Sequence, residues 1–288
     1  MSASPTPPDL AALAVLMACH NRRAKTEACL IALRAAAQAA GLPYALYVFD
    51  DGSTDGTSEA VRAVEPQAHI LRGDGSLFWN RSMHAAFGEA MRQGHAHYLW
   101  LNDDTTLLPE ALSELVSTGR RGGPAEVIVV GAVRDPASGR LSYGGSRRVS
   151  PRWRPFLARS VEPSGDAAPV DIINGNVVLV PHALALRLGN LDPVFEHAMG
   201  DTDYALRARR AGITILQTGR FVGDCSRNPT RGTLRDRAAP LRQRLADAFS
   251  RKGLPLRSWW TLCRRHGGWL WPVHFTWGYT KVILGRSW

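Results

Sequence analysis

Short, unbroken apolar runs alternate with longer amphipathic stretches along the first half of the chain. Residues 13–18 (LAVLMA), 45–49 (ALYVF), 98–101 (YLWL) and 127–132 (VIVVGA) are short and almost uniformly apolar. Each predicts a strand buried on both faces of a parallel sheet, and residues 69–71 add a further short candidate. Between them, residues 24–40, 57–64, 82–93 and 109–118 have helical character, the last with proline at its start. Strand, helix, strand, polar turn, helix is the rhythm of βαβ units and predicts an α/β fold. Residues 138–165, rich in Gly, Pro, Arg and Ser, read as loop or a short antiparallel hairpin. Residues 170–180 carry Asn174-Gly175-Asn176 ahead of an apolar run, and residues 201–211 read as a helix with aspartate near its start.

Two of the predicted strands stop at acids: ALYVF runs into Asp50-Asp51-Gly52-Ser53, and YLWL into Asn102-Asp103-Asp104. Ligand crevices of open α/β sheets lie at strand C-terminal ends. Asp103 and Asp104 would repel one another unless a cation lies between them, and such pairs are usual oxygen ligands for Mg2+ or Mn2+ carrying a diphosphate. A solvated turn or a helix N-cap is the alternative. Asp51 suits the imide N3–H of uracil or thymine, which cytosine lacks, but the same residues also suit an ordinary Asp-Gly turn. Asp203 and Arg207 stand at i and i+4 and would pair on a helix, leaving Asp201 free. A carboxylate there can take a proton from an acceptor hydroxyl, or simply favour the helix dipole.

The three acidic clusters, in this order, resemble the family 2 glycosyltransferases over roughly residues 12–225, and the resemblance implies a GT-A fold. That is a Rossmann-like, mostly parallel central sheet flanked by helices, here with a helical, aromatic and basic C-terminal extension. It implies a catalytic domain over 12–225, a flexible start over 1–11 and an extension over 226–288. By this resemblance Ala18, His20 and Asn21, in Ala18-Cys19-His20-Asn21-Arg22, help hold the donor nucleotide. Asp51 contacts the pyrimidine, Asn102 and Asp103 lie near the ribose, and Asp104, with Asp103, holds Mn2+ or Mg2+. Gly73-Asp74-Gly75-Ser76-Leu77-Phe78-Trp79 is similar to a donor-side loop of rhamnosyltransferase-like members, with Asp74 toward the nucleotide and Trp79 toward the sugar. Asn174, Gly175 and Asn176 floor the acceptor side, with Asp203 nearby, and Asp201 is the catalytic base of an inverting displacement. Gly200 stands where the family usually has Glu. The family's late histidine metal ligand has no counterpart in Val222-Gly223-Asp224-Cys225, where Asp224 is only a placeholder.

The net charge of +10 changes the picture only through its location. From Arg220 onward there are 14 Lys and Arg against 3 Asp and Glu, whereas the rest holds 21 against 22. The tail also holds Trp259, Trp260, Trp269, Trp271, Trp277 and Trp288, six of the nine tryptophans. Basic residues interleaved with Trp fit a lipid headgroup region better than a duplex, so residues 254–288 are expected to touch a membrane surface or to pack on the chain or a partner. A nucleic-acid-binding module is disfavoured by the neutral remainder, and a sugar-nucleotide pyrophosphorylase by the lack of a glycine-rich phosphate loop in ACHNRRAKTE. Four cysteines without metal spacing and a polar, proline-rich start without signal-peptide character suggest a reducing compartment. The expected partners are a UDP- or dTDP-sugar donor and a lipid-linked or glycan acceptor, at the cytoplasmic face of the plasma membrane.

Overall fold

The computed structural model describes residues 13–123, 126–227 and 239–285. The start over 1–11, Trp288 and the parts of the expected extension at 228–238 and 286–288 lie outside the described residues. Strand β1 (Leu13–Cys19) leads into α1 (Arg23–Ala40), β2 (Tyr44–Asp50), α2 (Thr57–Val64), β3 (His69–Arg72), α3 (Phe78–Gln93) and β4 (His97–Leu101). There follow β5 (Thr106–Leu107), α4 (Ala111–Arg120), β6 (Ile128–Arg134), β7 (Leu141–Tyr143), β8 (Ser146–Ser150), β9 (Arg154–Ser160) and β10 (Ala168–Pro169). Then come β11 (Val177–Pro181), α5 (His182–Leu188), α6 (Gly200–Arg210), β12 (Ile215–Asp224), α7 (Leu241–Phe249), α8 (Leu256–His266) and α9 (Trp271–Ile283).

The main sheet runs β10-β12-β6-β11-β4-β1-β2-β3. Strands β3, β2, β1, β4, β6 and β12 point the same way, while β11 runs against both its neighbours and β10 against β12. This is a mixed, mostly parallel α/β sheet flanked by helices. All seven residues of β1 are buried, which explains its unbroken apolar run. Leu13, Val15, Met17 and Cys19 face a core layer shared with Leu30 and Leu33 of α1 and Leu112 and Leu115 of α4. Ala14, Leu16 and Ala18 face the opposite layer, with Met83 and Phe87 of α3 and Tyr204 of α6.

Two elements depart from the sequence expectation, each for a physical reason. Helix α3 begins at Phe78 rather than near residue 82, because the Asp51 carboxylate accepts the N–H groups of Leu77 (3.0 Å) and Phe78 (2.8 Å). A negative charge on orphan donors stabilises a helix start that no local cap signals. Strand β12 carries polar Gln217, Thr218 and Arg220 and slips register there, so it shows no apolar run. Gln217 is buried but satisfied, accepting from the Gly145 N–H (2.7 Å) and donating to the Val161 carbonyl (2.7 Å). Residues 138–165 contain the β8–β9 antiparallel pair.

The extension packs back on the catalytic part. Trp259, Leu262 and Cys263 of α8 and Val282 of α9 form a third apolar cluster with Phe195, which precedes α6. Pro255 sits just before α8 and Pro272 in the first turn of α9, positions where the missing N–H costs nothing. An ionic anchor reinforces this cluster. Fully buried Asp203 of α6 accepts from Arg207 Nε (2.9 Å) and from Arg265 Nη1 of α8 (3.3 Å), with His266 Nε2 at 2.9 Å. Burial alone would raise the Asp203 pKa, but His266 and Arg207 outweigh it and hold the carboxyl below its ordinary value.

Asp203→Asn should therefore cost about 3 kcal/mol in denaturant unfolding, since it strips a buried pair of one partner. The folded carboxyl titrates below the unfolded value, so its stabilisation is complete above roughly pH 4 and is lost as pH falls through the folded value. The difference between wild type and Asp203→Asn should shrink in acid; an unaltered midpoint at neutral pH would contradict the anchor.

Candidate active site

Parallel register brings the ends of β1, β2 and β4 side by side, with Cys19 opposite Asp50 and Leu16 opposite Trp100. Ala18 lies within β1, its side chain in the core. Past the strand end, His20 Nδ1 lies 2.6 Å from the Asp51 carbonyl oxygen. Asn21, at φ 49°, donates its N–H to Ser53 Oγ (2.9 Å) and accepts the Thr54 N–H on Oδ1 (2.8 Å). These bonds tie the loop after β1 to the loop after β2.

Buried Asp51 is the organiser of the adjacent loop. One oxygen accepts the Gly75 N–H (3.0 Å) and the other accepts those of Leu77 and Phe78. Exposed Asp74 closes the turn through the Ser76 N–H (3.0 Å), and the Ser76 hydroxyl, with that N–H, holds its carboxyl below the ordinary value. The loop delivers Trp79, whose Nε1 donates to Asn102 Oδ1 (2.7 Å). Asn102 in turn donates Nδ2 to Asn176 Oδ1 (3.1 Å) and its backbone N–H to the Asn176 carbonyl (2.9 Å). Because β11 is reversed, Asn176 sits at its start and so reaches the same edge that β4 reaches at its end.

Asp103 is buried and Asp104 half-buried, and one nitrogen bridges them: Arg22 Nη1 lies 3.1 Å from Asp103 Oδ1 and 2.8 Å from Asp104 Oδ2. Burial pushes the Asp103 pKa up to about 6, Arg22 pulling it down and Asp104 adding to the rise. Asp103 Oδ2 is a buried carboxylate oxygen with no hydrogen-bond partner. Two adjacent carboxylates with an orphaned oxygen are a hard-donor set that fits Mg2+ or Mn2+. Among the described residues no group of three His, Cys, Asp or Glu is arranged to hold an ion. A cation on this pair would therefore fill its shell with water and ligand oxygens, as Mg2+ commonly does. Asp224 is turned away, accepting from Arg134 Nε at 2.7 Å. The neighbouring Cys225 approaches instead, its thiol 3.6 Å from Asp104 Oδ1.

Asp201 stands in the first turn of α6, its Oδ2 accepting the Gly175 N–H (3.1 Å) and its Oδ1 the Thr202 N–H (2.7 Å). Loss of water around it pushes its carboxyl above the ordinary value, with the two N–H groups opposing. Gly175 has no room for a side chain, since a Cβ would strike the Trp79 indole. Gly200 is equally confined, because a Cβ there would overlap the Asn80 amide, which donates to the Asp192 (2.9 Å) and Phe195 (2.6 Å) carbonyls. Asn80 thus fills the space beside Gly200, and no larger residue fits. Asn174 accepts the Asn176 N–H on Oδ1 (3.2 Å).

Asp51, Trp79, Asn102, Asn174, Gly175, Asn176 and Asp201 are thereby linked in one continuous network, with Asp103 and Asp104 next to Asn102. Asp203 is not part of it: its carboxylate is taken up by Arg207, Arg265 and His266. Arg22, Cys225 and His197 join the neighbourhood without having been singled out as site residues from the sequence. His197 is half-buried edge-on to Phe78 (6.3 Å), and burial, with Lys252 and Arg22 nearby, lowers its pKa to about 4. Arg251 of the extension lies over the Phe78 ring at 4.6 Å. The basic residue beside Asn21 was the available signal for Arg22; nothing local signals the other two.

Several solved structures share this architecture. A mannosyltransferase from Pyrobaculum calidifontis, PcManGT, in complex with GDP-Man and Mn2+, aligns with TM-score 0.57 at 16% identity, covering 98% of this chain and 77% of that one. Residues 1–349 of TarS from S. aureus align with TM-score 0.54 at 12% identity, covering 94% and 81%. The same TarS fragment in complex with UDP gives 0.53 at 12% identity, covering 88% and 70%. At such identities the likeness shows the fold alone, which is GT-A. No curated protein sequence matches the chain. Residues 14–166, just over half of the chain, match the model of glycosyl transferase family 2, and the chain belongs to that family.

Proposed function

We infer that the chain is an inverting glycosyltransferase that moves a hexose or deoxyhexose from a UDP- or dTDP-sugar to a hydroxyl of a lipid-linked or polysaccharide acceptor. The observation that carries this reading is the single hydrogen-bonded network running from Asp51 through Trp79 and Asn102 to Asp201, with the Asp103–Asp104 pair beside it. On the donor side, a carboxylate offers about four acceptor sites and the loop uses three of Asp51's, leaving one for an imide N3–H. Uracil and thymine present one such donor. Guanine presents two adjacent ones and would need a carboxylate with both oxygens free. Likeness of loop 73–79 to rhamnosyltransferase-like members supports a deoxyhexose or hexose.

A divalent cation, Mn2+ or Mg2+, held by Asp103 and Asp104, would supply neutralisation of the charge that builds on the departing diphosphate. Asp201 would take the proton of the acceptor hydroxyl as its oxygen attacks the anomeric carbon opposite the diphosphate. Its upward-shifted carboxyl suits a general base better than an ordinary aspartate. Asn174 and Asn176 would line the acceptor side. Residues 12–225 would form the catalytic domain, and the extension would bring the enzyme to its acceptor at the inner face of the plasma membrane. Among the described residues no helix is long and apolar enough to cross a membrane. Support for a surface contact comes from the outward face of the extension. Trp259 is buried, but Trp260, Trp269 and Trp277 are 42%, 77% and 42% exposed, beside exposed Leu256, Val273, Arg257 and Arg264.

In a thermal-shift screen with Mn2+, UDP- or dTDP-sugars should stabilise the protein and GDP-sugars should not; the reverse pattern would overturn the assignment of Asp51. Asp201→Asn should cut transfer by roughly a hundredfold to ten-thousandfold while leaving donor affinity within about twofold. Normal turnover in that variant would remove Asp201 from the role. The acid limb of the rate profile should lie above the ordinary aspartate range, because only the deprotonated carboxylate is active. Replacing Trp260, Trp269 and Trp277 together by Ser spares the buried cluster and should abolish co-sedimentation with anionic vesicles; undiminished binding would dispose of the lipid contact.

A further inference from the structure

We propose that Arg22 is a built-in counter-cation for the Asp103–Asp104 pair, and that it must be displaced before a divalent metal can bind there, which couples metal binding to arrival of the nucleoside diphosphate. This rests on the reading of Asp103 and Asp104 as the metal-holding pair. Burying two adjacent carboxylates without a positive charge is strongly unfavourable. In this structure the charge comes from Arg22, whose Nη1 lies within 3.1 Å of both carboxylates. The bridge is incomplete in a telling way. The guanidinium uses one nitrogen rather than its paired fork, and Asp103 Oδ2 is left buried and unpartnered. An arginine built as a permanent structural partner would be expected to engage such carboxylates bidentately.

The anchoring of Arg22 fits a side chain that swings while its backbone stays fixed. Its backbone stands between Asn21, locked by Ser53 and Thr54, and the first turn of α1, where its carbonyl accepts the Thr26 N–H (2.9 Å). Its side chain is 40% exposed, against 6% for Asp103 and 12% for Asp104. A divalent ion held by these carboxylates would set its positive charge against that of the Arg22 nitrogen that now bridges them. Guanidinium and metal therefore exclude one another on the pair. Once displaced, a planar guanidinium is matched in shape and charge to a diphosphate. Metal alone must expel Arg22 into solvent, whereas metal with a nucleoside diphosphate gives it a new partner. By linkage, each ligand then tightens the other by the same factor.

The coupling can be read without turnover, by titrating Mn2+ into the full-length protein and following the free-ion EPR signal, with and without UDP. Wild type should bind Mn2+ weakly alone and about tenfold or more tightly with UDP. Arg22→Gln should bind Mn2+ alone about tenfold more tightly than wild type, and UDP should add little further. Arg22→Lys, which keeps a positive charge, should stay close to wild type. Because Arg22→Gln also leaves the carboxylates with only the more distant Lys25 as counter-charge, its melting temperature should fall without metal and recover on adding Mn2+, more than wild type responds. Equal or weaker Mn2+ affinity in Arg22→Gln, with Mn2+ clearly bound to both proteins, would overturn the role of Arg22 and spare the metal assignment. Failure of wild type and Arg22→Gln alike to bind Mn2+ at all, with or without UDP, or Mn2+ binding undiminished in an Asp104→Asn control, would overturn the metal assignment and this proposal with it.

Discussion

One carboxylate holds the loop that opens α3, and with it one half of the candidate site, together. Asp51 ends a buried strand and accepts three backbone N–H groups from the loop that opens α3. Hydrogen bonds to a charged acceptor contribute more than neutral ones, and each N–H left unmade in a buried site carries its own penalty. The loop thus has a defined shape, and Trp79 is aimed at Asn102 as a result. From Asn102 the order passes through Asn176 to Gly175 and Asp201, residues far apart in sequence. The acids after β4 border the same chain of contacts, so the site is built from the exits of β1, β2 and β4, the entrance of β11 and the start of α6.

The extension belongs to this arrangement in a way its composition does not suggest. Asp203, two residues beyond Asp201, is held from α8 by Arg265 and His266, and Arg251 covers Phe78 at the end of the loop that Asp51 shapes. The extension therefore touches both the helix that carries the proposed base and the loop that Asp51 shapes. Its tryptophans divide by face. Trp259 completes a core with Phe195, whereas Trp260 and Trp269 are exposed. Packing on the chain and an exposed aromatic surface are thus both present in one element.

Much of this was legible because its causes are local. A strand buried on both faces has to be a short apolar run, and β1, β2, β4 and β6 announce themselves that way. Carboxylates at the ends of two such runs stand out because so few residue types belong there. What escaped has causes that lie elsewhere in the chain. The start of α3 is set by a carboxylate 27 residues earlier. Strand β12 replaces apolar residues with a buried Gln217 whose partners lie across the sheet. The resemblance puts Asp203 near the acceptor and its spacing pairs it with Arg207; the further claim of α8 on the same carboxylate has no sequence signal. Likewise, whether Asp224 or Cys225 turns toward Asp104 depends on the register of β12, which periodicity cannot supply.

The reversed strand β11 divides the site along a seam. Apart from Ala18, which stays within β1, every residue assigned to the nucleotide follows a strand by its C-terminal end, in the first 104 residues. The asparagines assigned to the acceptor reach the same edge by preceding a strand that runs the other way, and Asn176 contacts the earlier half through Asn102 and Thr105. On the proposed assignments, exchanging the segment ahead of the reversed strand would change the molecule that receives the sugar while leaving the residues assigned to the nucleotide as they were.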